Sequence, residues 1–173
     1  MNCKSGVLSG KKGVVIGVAN ERSIAWGIAK EAASNGAEIA FSYQGKAIEK
    51  RLRPLALSLD SEIIEECDVT DPLSVDSFFE KVSKKWGNID FLIHAVAYSD
   101  KEGLKGMYID TTKENFLRTM EISCFSFTDL CSKAVNLMPE GGALLTLSYY
   151  GAERVMPHYN VMGVAKSALE TSV

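Results

Sequence analysis

The run Gly13-Val14-Val15-Ile16-Gly17-Val18 decides the fold class of this chain. A short, continuous apolar run of this kind is typical of a strand that is buried on both faces of a parallel sheet. An apolar stripe at helical spacing follows it and consists of Ile24, Ala25, Ile28, Ala29, Ala32 and Ala33. Gly36 is the expected C-terminal cap of this helix. A buried strand that turns into an amphipathic helix indicates an alternating α/β fold.

Four further apolar runs continue the alternation and predict a five-stranded sheet. They cover residues 37–43, 62–69, 90–97 and 143–148. Strands that alternate with helices pair in parallel, and right-handed crossovers place helices on both faces of the sheet. The predicted fold is therefore a doubly wound, Rossmann-type α/β sheet with strand order 3-2-1-4-5, formed as a single domain over residues 1–173. Ligands of such sheets bind at the carboxyl ends of the strands, here in the crevice between strands 1 and 4.

The clearest predicted helix begins after Asp71, which is its expected N-terminal cap, with Pro72 at the first helical position. Its apolar face consists of Val75, Phe78, Phe79, Val82 and Trp86. Residues 45–57 are charged and amphipathic, and they predict another helix that Pro54 must end or kink.

Two more helices are predicted in the second half of the chain. The run Thr111-Thr112-Lys113-Glu114 fits a capping box, which opens a long helix that ends at about Leu137. Pro157 is expected to open the helix that carries Tyr159 and Lys166.

Composition argues against several classes of protein. The 173 residues are 46 % hydrophobic and 24 % charged with a net charge of −3, and the 19 basic residues are dispersed, so no nucleic-acid footprint is expected. No apolar run approaches the ~18 residues of a membrane span. Residues 1–6 are polar and precede no signal-like apolar core, which favours the cytoplasm. The cysteines Cys3, Cys67, Cys124 and Cys131 lack metal-ligand spacing, so we expect no metal site and no structural disulfide in a reducing compartment.

The most specific chemical signal is Tyr159-Asn160-Val161-Met162-Gly163-Val164-Ala165-Lys166. Seven helical steps are two turns, so the phenol of Tyr159 and the ammonium of Lys166 are expected on one helix face. A hydroxyl beside a fixed cation suits a reductase that must stabilise a developing oxyanion. Taken alone, Tyr159 would be interpreted as an ordinary core or interface aromatic residue, and Lys166 as a charged side chain exposed to solvent. Gly163 costs about 1 kcal/mol relative to alanine inside a helix, which predicts a close approach by another group.

The turn after the first strand, from Gly17 to Ala25, is a candidate diphosphate site. It is expected to present free backbone amides and the positive end of a helix dipole. It departs from the usual glycine fingerprint at Ser23, so a plain turn with Ser23 as helix cap is an equal alternative.

Strand ends supply the other candidate cofactor residues. Gln44 can bind the hydroxyls of an adenosine ribose and Asp68 an adenine amino group, although an exposed polar residue and a loop contact explain them equally well. Ala95 and Ala97 are small enough to let a flat cofactor approach the fourth strand. We interpret His94 as a strand histidine whose hydrogen bonds are satisfied, in preference to a catalytic residue.

Together these segments resemble the enoyl-acyl-carrier-protein reductases of bacterial fatty-acid synthesis, a divergent branch of the short-chain dehydrogenase/reductase superfamily. The resemblance is carried by the turn from Gly17 to Ala25, the run Leu145-Thr146-Leu147-Ser148-Tyr149-Tyr150-Gly151-Ala152-Glu153-Arg154, and the Tyr159–Lys166 segment. Ordinary members of the superfamily have Tyr-x-x-x-Lys, whereas the wider spacing here marks the enoyl reductase branch. Ala97 departs from the glycine that many members have.

The resemblance implies NADH-dependent reduction of the trans-2 double bond of an enoyl thioester on acyl carrier protein. Tyr159 would donate to the thioester oxygen, Lys166 would hold the nicotinamide ribose, and Tyr149 would line the acyl pocket. The residues that the resemblance assigns to the dinucleotide are Gly17, Ala19, Ser23, Ile24, Gln44, Asp68, Val69, Ala95, Ala97 and Lys166.

The resemblance implies a homotetramer, since this superfamily usually tetramerises. Family members continue into further strands, so we expect this chain to be truncated at its C-terminus. Two alternatives stay open. One is a carbonyl-reducing short-chain dehydrogenase, and the other is a non-catalytic dinucleotide-binding fragment.

Overall fold

A five-stranded sheet with the order β3-β2-β1-β4-β5 organises the computed structural model, which describes residues 6–173. Its strands are β1 Lys12–Ile16, β2 Glu38–Tyr43, β3 Ile64–Glu66, β4 Phe91–His94 and β5 Ala143–Thr146. β1 pairs in parallel with β2 and β4, and β2 pairs in parallel with β3. The predicted doubly wound order is confirmed. Cys3 lies outside the described residues.

Strands β1, β3, β4 and β5 end earlier than the apolar runs predict. Gly17 has a φ of +106°, which takes the chain out of the extended conformation directly after β1. After β3, the Asp68 carboxylate accepts hydrogen bonds from the amide and hydroxyl of Thr70, which fold residues 68–70 into a turn. The residues lost from the strands therefore form loops at the carboxyl edge of the sheet.

The helices are α1 Ile24–Ser34, α2 Gly45–Leu57, α3 Pro72–Trp86, α4 Lys113–Met120, α5 Ser126–Val135 and α6 Asn160–Thr171. The described chain forms two compact units. The first unit contains the chain up to Ala95 together with Cys131–Leu145, and the second contains Val96–Leu130 and Thr146–Val173. The prediction of a single domain stays a prediction.

The core of the first unit lies between the sheet and its helices. Trp26 of α1 packs on Phe41 of β2 with 6.0 Å between the ring centroids. The predicted apolar face of α3 is buried at Val75, Phe78, Phe79 and Val82. Asp71 caps this helix as predicted, because its side chain accepts a hydrogen bond of 3.0 Å from the amide of Leu73.

Helix α1 ends at Ser34, two residues before the predicted glycine cap. Asn35 is the capping residue, and Gly36 follows it with a φ of +96°. The amide of Ala37 then donates to the carbonyl of Ala32 over 3.0 Å, which completes a Schellman motif. Gly36 thus occupies the left-handed position that this motif requires.

Helix α2 has the predicted bounds and does not end at Pro54, which lies inside it. Proline removes only its own amide donor, and its carbonyl still accepts from the amide of Ser58 over 3.2 Å.

The predicted capping box at the start of the long helix is wrong by one residue. The cap is Thr112, whose hydroxyl accepts from the amide of Asn115 over 3.2 Å. Glu114 therefore does not reach back to Thr111, and it pairs with Arg118 one turn later at 2.6 Å.

The long helix itself is a succession of three segments, because a π-helical turn, Glu121–Phe125, separates α4 from α5. Within this turn, the hydroxyl of Ser123 accepts from the amide of Tyr98 over 2.9 Å and donates to the carbonyl of Tyr98 over 3.0 Å. This pair of bonds gives a structural reason for the locally widened turn.

Pro157 does not open the last helix. The backbone is left-handed at His158, with a φ of +58°, and again at Asn160, with a φ of +35°, so no regular helix runs on from Pro157. Helix α6 spans Asn160–Thr171, and Tyr159 is its N-terminal capping residue.

Within residues 6–173, no helix combines the length and the apolar character needed to cross a membrane. The same residues contain no group of histidine, cysteine and acidic side chains placed to hold a metal ion. Cys124 and Cys131 are free thiols, and burial raises the pKa of Cys131 to about 11.

Candidate functional site

In the first unit, the carboxyl ends of β1 and β4 meet at Gly17 and Ala95. The amide of Ala95 donates to the carbonyl of Ile16 over 2.8 Å. A Cβ atom on Gly17 would lie 2.2 Å from the carbonyl oxygen of Ala95, and the φ of +106° also favours glycine. Only glycine therefore fits this approach of the two backbones.

The turn from Gly17 to α1 is held by Ser23. Its hydroxyl oxygen accepts from the amide of Ala19 over 3.0 Å and from the amide of Asn20 over 3.1 Å. These two amides are not free, so the prediction of free amides throughout the turn is wrong at these positions. Ser23 is also the N-cap residue of α1 by its backbone, but its side chain makes no capping bond there.

The first turn of α1 begins with Ile24, whose side chain is 70 % exposed. Ile24 was predicted in the buried stripe of the helix, and its position at the N-terminal end explains why it escapes burial. The positive end of the helix dipole favours a phosphate group at this position. The exposed side chain of Ile24 is available to contact the same ligand.

Gln44 and Asp68, at the ends of β2 and β3, are in direct contact. The side-chain amide of Gln44 donates to one oxygen of the Asp68 carboxylate over 2.9 Å. Partial burial raises the pKa of the Asp68 carboxyl. Hydrogen bonds from Gln44 and Thr70 outweigh this effect and hold the pKa below its usual value. Asp68 therefore accepts hydrogen bonds as a carboxylate. Val69 follows it and is half-buried.

Glu66 is a residue that the sequence reasoning missed. One oxygen of its carboxylate accepts from the amide of Gly45, the first residue of α2, over 3.2 Å. The available signal was an acidic residue at the end of the third strand, which pairs with the second strand, at whose end the ribose is expected.

His94 ends β4 and is fully buried, opposite Ile16 of β1 in the parallel register. Its interpretation as a strand histidine agrees with this position. Ala97 belongs to the second unit, where its side chain is exposed.

In the second unit, Tyr149 and Tyr159 form an aromatic pair. Their ring centroids are 4.9 Å apart with an interplanar angle of 63°. Burial raises the pKa of the Tyr159 phenol, and the neighbouring Tyr149 raises it further. Tyr159 consequently keeps its proton at neutral pH and remains a hydrogen-bond donor.

Lys166 is 6 % exposed, and its ammonium donates to the carbonyl oxygen of Leu147 over 2.7 Å. Burial lowers the pKa of Lys166, while electrostatic interactions with Cys124 and Glu170 oppose that change. Tyr159 contacts Tyr149 and Lys166 contacts Leu147, so both side chains face residues 147–149, directly after β5.

Gly163 explains how α6 can pack so closely against this segment. A Cβ atom there would lie 2.9 Å from the carbonyl oxygen of Gly151 and 3.6 Å from the Tyr159 ring. The close approach that Gly163 predicts is therefore made by the backbone of Gly151.

Two hydroxyl groups bind the same segment to α6 within the turn that follows Lys166. The hydroxyl of Ser148 donates to the carboxylate of Glu170, and the hydroxyl of Ser167 donates to the carbonyl of Ala152. The structure thus groups Tyr149, Tyr159 and Lys166 around residues 147–152.

A family model described as enoyl-(acyl carrier protein) reductase matches residues 17–173. The chain belongs to that family. The match includes the Gly17 turn of the first unit and the Tyr159–Lys166 segment of the second unit.

Relatives and solved structures agree with this family. The chain is 57 % identical over 169 residues to enoyl-[acyl-carrier-protein] reductase [NADH] 1 of Rhizobium meliloti, which covers 98 % of this chain and 62 % of the relative. The crystal structure of the Anaplasma phagocytophilum reductase in complex with NAD is 56 % identical with a TM-score of 0.95, covering 98 % of this chain and 64 % of that one. The Bacillus cereus reductase with NADP+ and indole naphthyridinone is 44 % identical with a TM-score of 0.95, covering 97 % and 66 %. The chain therefore spans less than two thirds of the length of the Rhizobium meliloti relative and of the Anaplasma phagocytophilum reductase.

Proposed function

We propose that this protein reduces the trans-2 double bond of enoyl thioesters on acyl carrier protein, with NADH as the reductant. The observation that carries the proposal is the grouping of a protonated phenol, Tyr159, and a buried ammonium, Lys166, against residues 147–149 in a member of this family.

The residues of the first unit fit a dinucleotide. Gly17 lets the ends of β1 and β4 approach each other closely, because a Cβ atom there would clash with the carbonyl oxygen of Ala95. Gln44 and Asp68 offer amide and carboxylate groups for a ribose and an adenine, and Ala19, Ser23, Ile24 and Val69 are the further proposed contacts of this unit. Ala97, in the second unit, is proposed as a contact on the resemblance alone. NADH, when bound, supplies the hydride that attacks the β-carbon of the enoyl group.

Tyr159 is proposed to stabilise the charge that this attack moves to the thioester oxygen. Its phenol donates a hydrogen bond to the enolate oxygen, and the α-carbon then takes a proton from solvent water. An ordinary tyrosine has a pKa of about 10, and burial raises the value for Tyr159, so the phenol is a neutral donor under working conditions.

Lys166 is proposed to bind the nicotinamide ribose. An ammonium has three N–H donors, and one of them is used by the carbonyl of Leu147. Two donors are left for ribose hydroxyls, and the positive charge adds to the field near the enolate. Tyr149, 48 % exposed beside Tyr159, is the proposed wall of the acyl pocket.

Acyl carrier protein is the proposed partner, and the proposed assembly is a homotetramer in the cytoplasm. Exposed apolar side chains on the α4–α5 segment support an interface between copies, since Leu117 is 55 % and Phe125 60 % exposed.

The test is an assay of the protein in the length that its cell makes, with crotonyl and acetoacetyl thioesters and with NADH and NADPH in parallel. Oxidation of NADH with the crotonyl thioester supports the proposal. Turnover of the acetoacetyl thioester alone supports a carbonyl reductase instead. Saturable NADH binding without either turnover supports a binding module.

A further inference from the structure

Two residues with positive φ flank Tyr159. His158 has a φ of +58° and Asn160 a φ of +35°. Residues other than glycine adopt such values rarely, with asparagine among the more tolerant. Such conformations persist where surrounding contacts determine them, and they cluster at functional sites. The contacts of the Asn160 side chain identify the determinant here.

The side-chain amide of Asn160 points at a single loop. Its nitrogen lies 3.2 Å from the carbonyl oxygen of Lys105, 3.4 Å from that of Gly103 and 3.4 Å from that of Gly106. An amide has two N–H donors, which these three acceptors share. The carbonyls of residues 103–106 therefore converge on one side chain, which lies 54 to 57 positions later in the sequence.

We infer that Asn160 is a positioning residue, whose amide anchors the chain next to Tyr159 to residues 103–106 and thereby fixes the direction of the Tyr159 phenol. The inference deepens the proposed function and rests on it, because the phenol is the proposed donor to the enolate oxygen. Tyr159 is the capping residue of α6 and lies outside the regular helix. Its orientation depends on the ring contact with Tyr149 and on its chain neighbours, of which Asn160 is anchored through its own side chain.

The effect on reaction follows from the geometry of the donor. A displacement of about 1 Å at a reacting group can cost on the order of 10²-fold in rate. Loss of the Asn160 amide removes weak, shared hydrogen bonds, so the expected loss is smaller, about tenfold. NADH binding is expected to stay unchanged, because the proposed cofactor contacts do not include Asn160.

Three variants separate the amide from the backbone. Asn160→Gly keeps the left-handed conformation accessible and removes the amide. Asn160→Asp keeps the shape of the side chain but presents carboxylate oxygens to the three carbonyls. His158→Gly relaxes the other left-handed residue and leaves the Asn160 contacts intact, so it is the matched control.

We expect kcat for the crotonyl thioester to fall about tenfold in Asn160→Gly and at least as far in Asn160→Asp, with the NADH dissociation constant unchanged. In a Tyr159→Phe background, Asn160→Gly should lower kcat no further, because the Asn160 amide acts through the Tyr159 phenol. A full additional loss in that background, or an equal loss in His158→Gly, would overturn the inference.

Two measurements decide the inference without turnover. Amide hydrogen exchange at residues 103–106 should be about tenfold faster in Asn160→Gly and unchanged in His158→Gly. The ¹³C resonance of the labelled Tyr159 ring should shift in Asn160→Gly only. If the wild-type protein fails to reduce the enoyl thioester, the proposed function is wrong, while unchanged exchange and resonance would reject the positioning by Asn160.

Discussion

The ammonium of Lys166 and the carbonyl oxygen of Leu147 are 2.7 Å apart and form a hydrogen bond. The lysine is 6 % exposed, so little water is available to replace this bond. Leu147 follows β5 directly, and Ser148 next to it is bonded to Glu170, one turn beyond Lys166. The bond therefore fixes a cation directly after the end of β5.

The pKa of Lys166 predicts how cofactor use depends on pH. Burial lowers this pKa from 10.5, whereas burial raises the pKa of Tyr159 from 10.0. As pH rises, the ammonium thus loses its charge earlier than an ordinary lysine, and the phenol loses its proton later than an ordinary tyrosine. We expect kcat/KM for NADH, which reports the free enzyme, to fall through the lowered pKa of Lys166.

The control for this prediction is Lys166→Arg, whose guanidinium stays charged above pH 12. In this variant the alkaline fall should move to higher pH. A fall at the wild-type position in a folded Lys166→Arg protein would assign it to another group. Lys166→Ala should mainly raise the dissociation constant for NADH.

Gly163→Ala tests the packing of α6 against residues 149–151. The new Cβ atom would lie 2.9 Å from the carbonyl oxygen of Gly151, so the segment that carries Tyr149 must shift. We expect the free energy of unfolding to fall by about 1–3 kcal/mol, with a lower kcat. Denaturant unfolding and the crotonyl assay measure both.

Gly27→Ala is the matched control, because nothing lies within 4 Å of its Cβ position in helix α1. It should stabilise the protein by about 0.5–1 kcal/mol, as alanine does in an open helix. If Gly163→Ala is stabilising to the same extent, the close contact with Gly151 is not a constraint.

Glu66→Gln tests the preference for NADH over NADPH. The Glu66 carboxylate accepts from the first amide of α2 over 3.2 Å and so occupies a helix N-terminus that would attract a 2′-phosphate. Removal of its charge should lower KM for NADPH about three- to tenfold and leave KM for NADH nearly unchanged.

Glu65→Gln controls for the loss of a charge on the same strand, since Glu65 pairs with Lys81 at 2.6 Å. An equal gain in NADPH use in both variants would attribute the effect to net charge. An unchanged ratio of NADPH to NADH use in Glu66→Gln would remove Glu66 from cofactor selection.

The strand order follows from the sequence because each β–α alternation leaves few right-handed topologies. The ends of the strands do not follow, because Gly17 and Asp68 interrupt apolar runs with conformations that side-chain hydropathy does not encode. The sequence predicts the helix cap at Thr111 instead of Thr112, because both threonines carry a hydroxyl group that can cap a helix.

The spacing of Tyr159 and Lys166 is visible in the sequence, but the start of α6 is not. A proline predicts a helix start, whereas here the positive φ of His158 delays it to Asn160, whose amide contacts residues 103–106. Contacts between distant segments decide such a start, so local propensity fails there. The bond from Lys166 to a main-chain carbonyl has no sequence signal at all.

The most direct test of the account is the single-turnover rate of hydride transfer to a crotonyl thioester by Tyr159→Phe at saturating NADH. The phenol is claimed to donate to the enolate oxygen, so its removal should slow this rate by up to about 10²–10³-fold. The unfolding free energy and the NADH dissociation constant should stay close to wild type. A hydride-transfer rate equal to that of the wild-type protein would contradict the account.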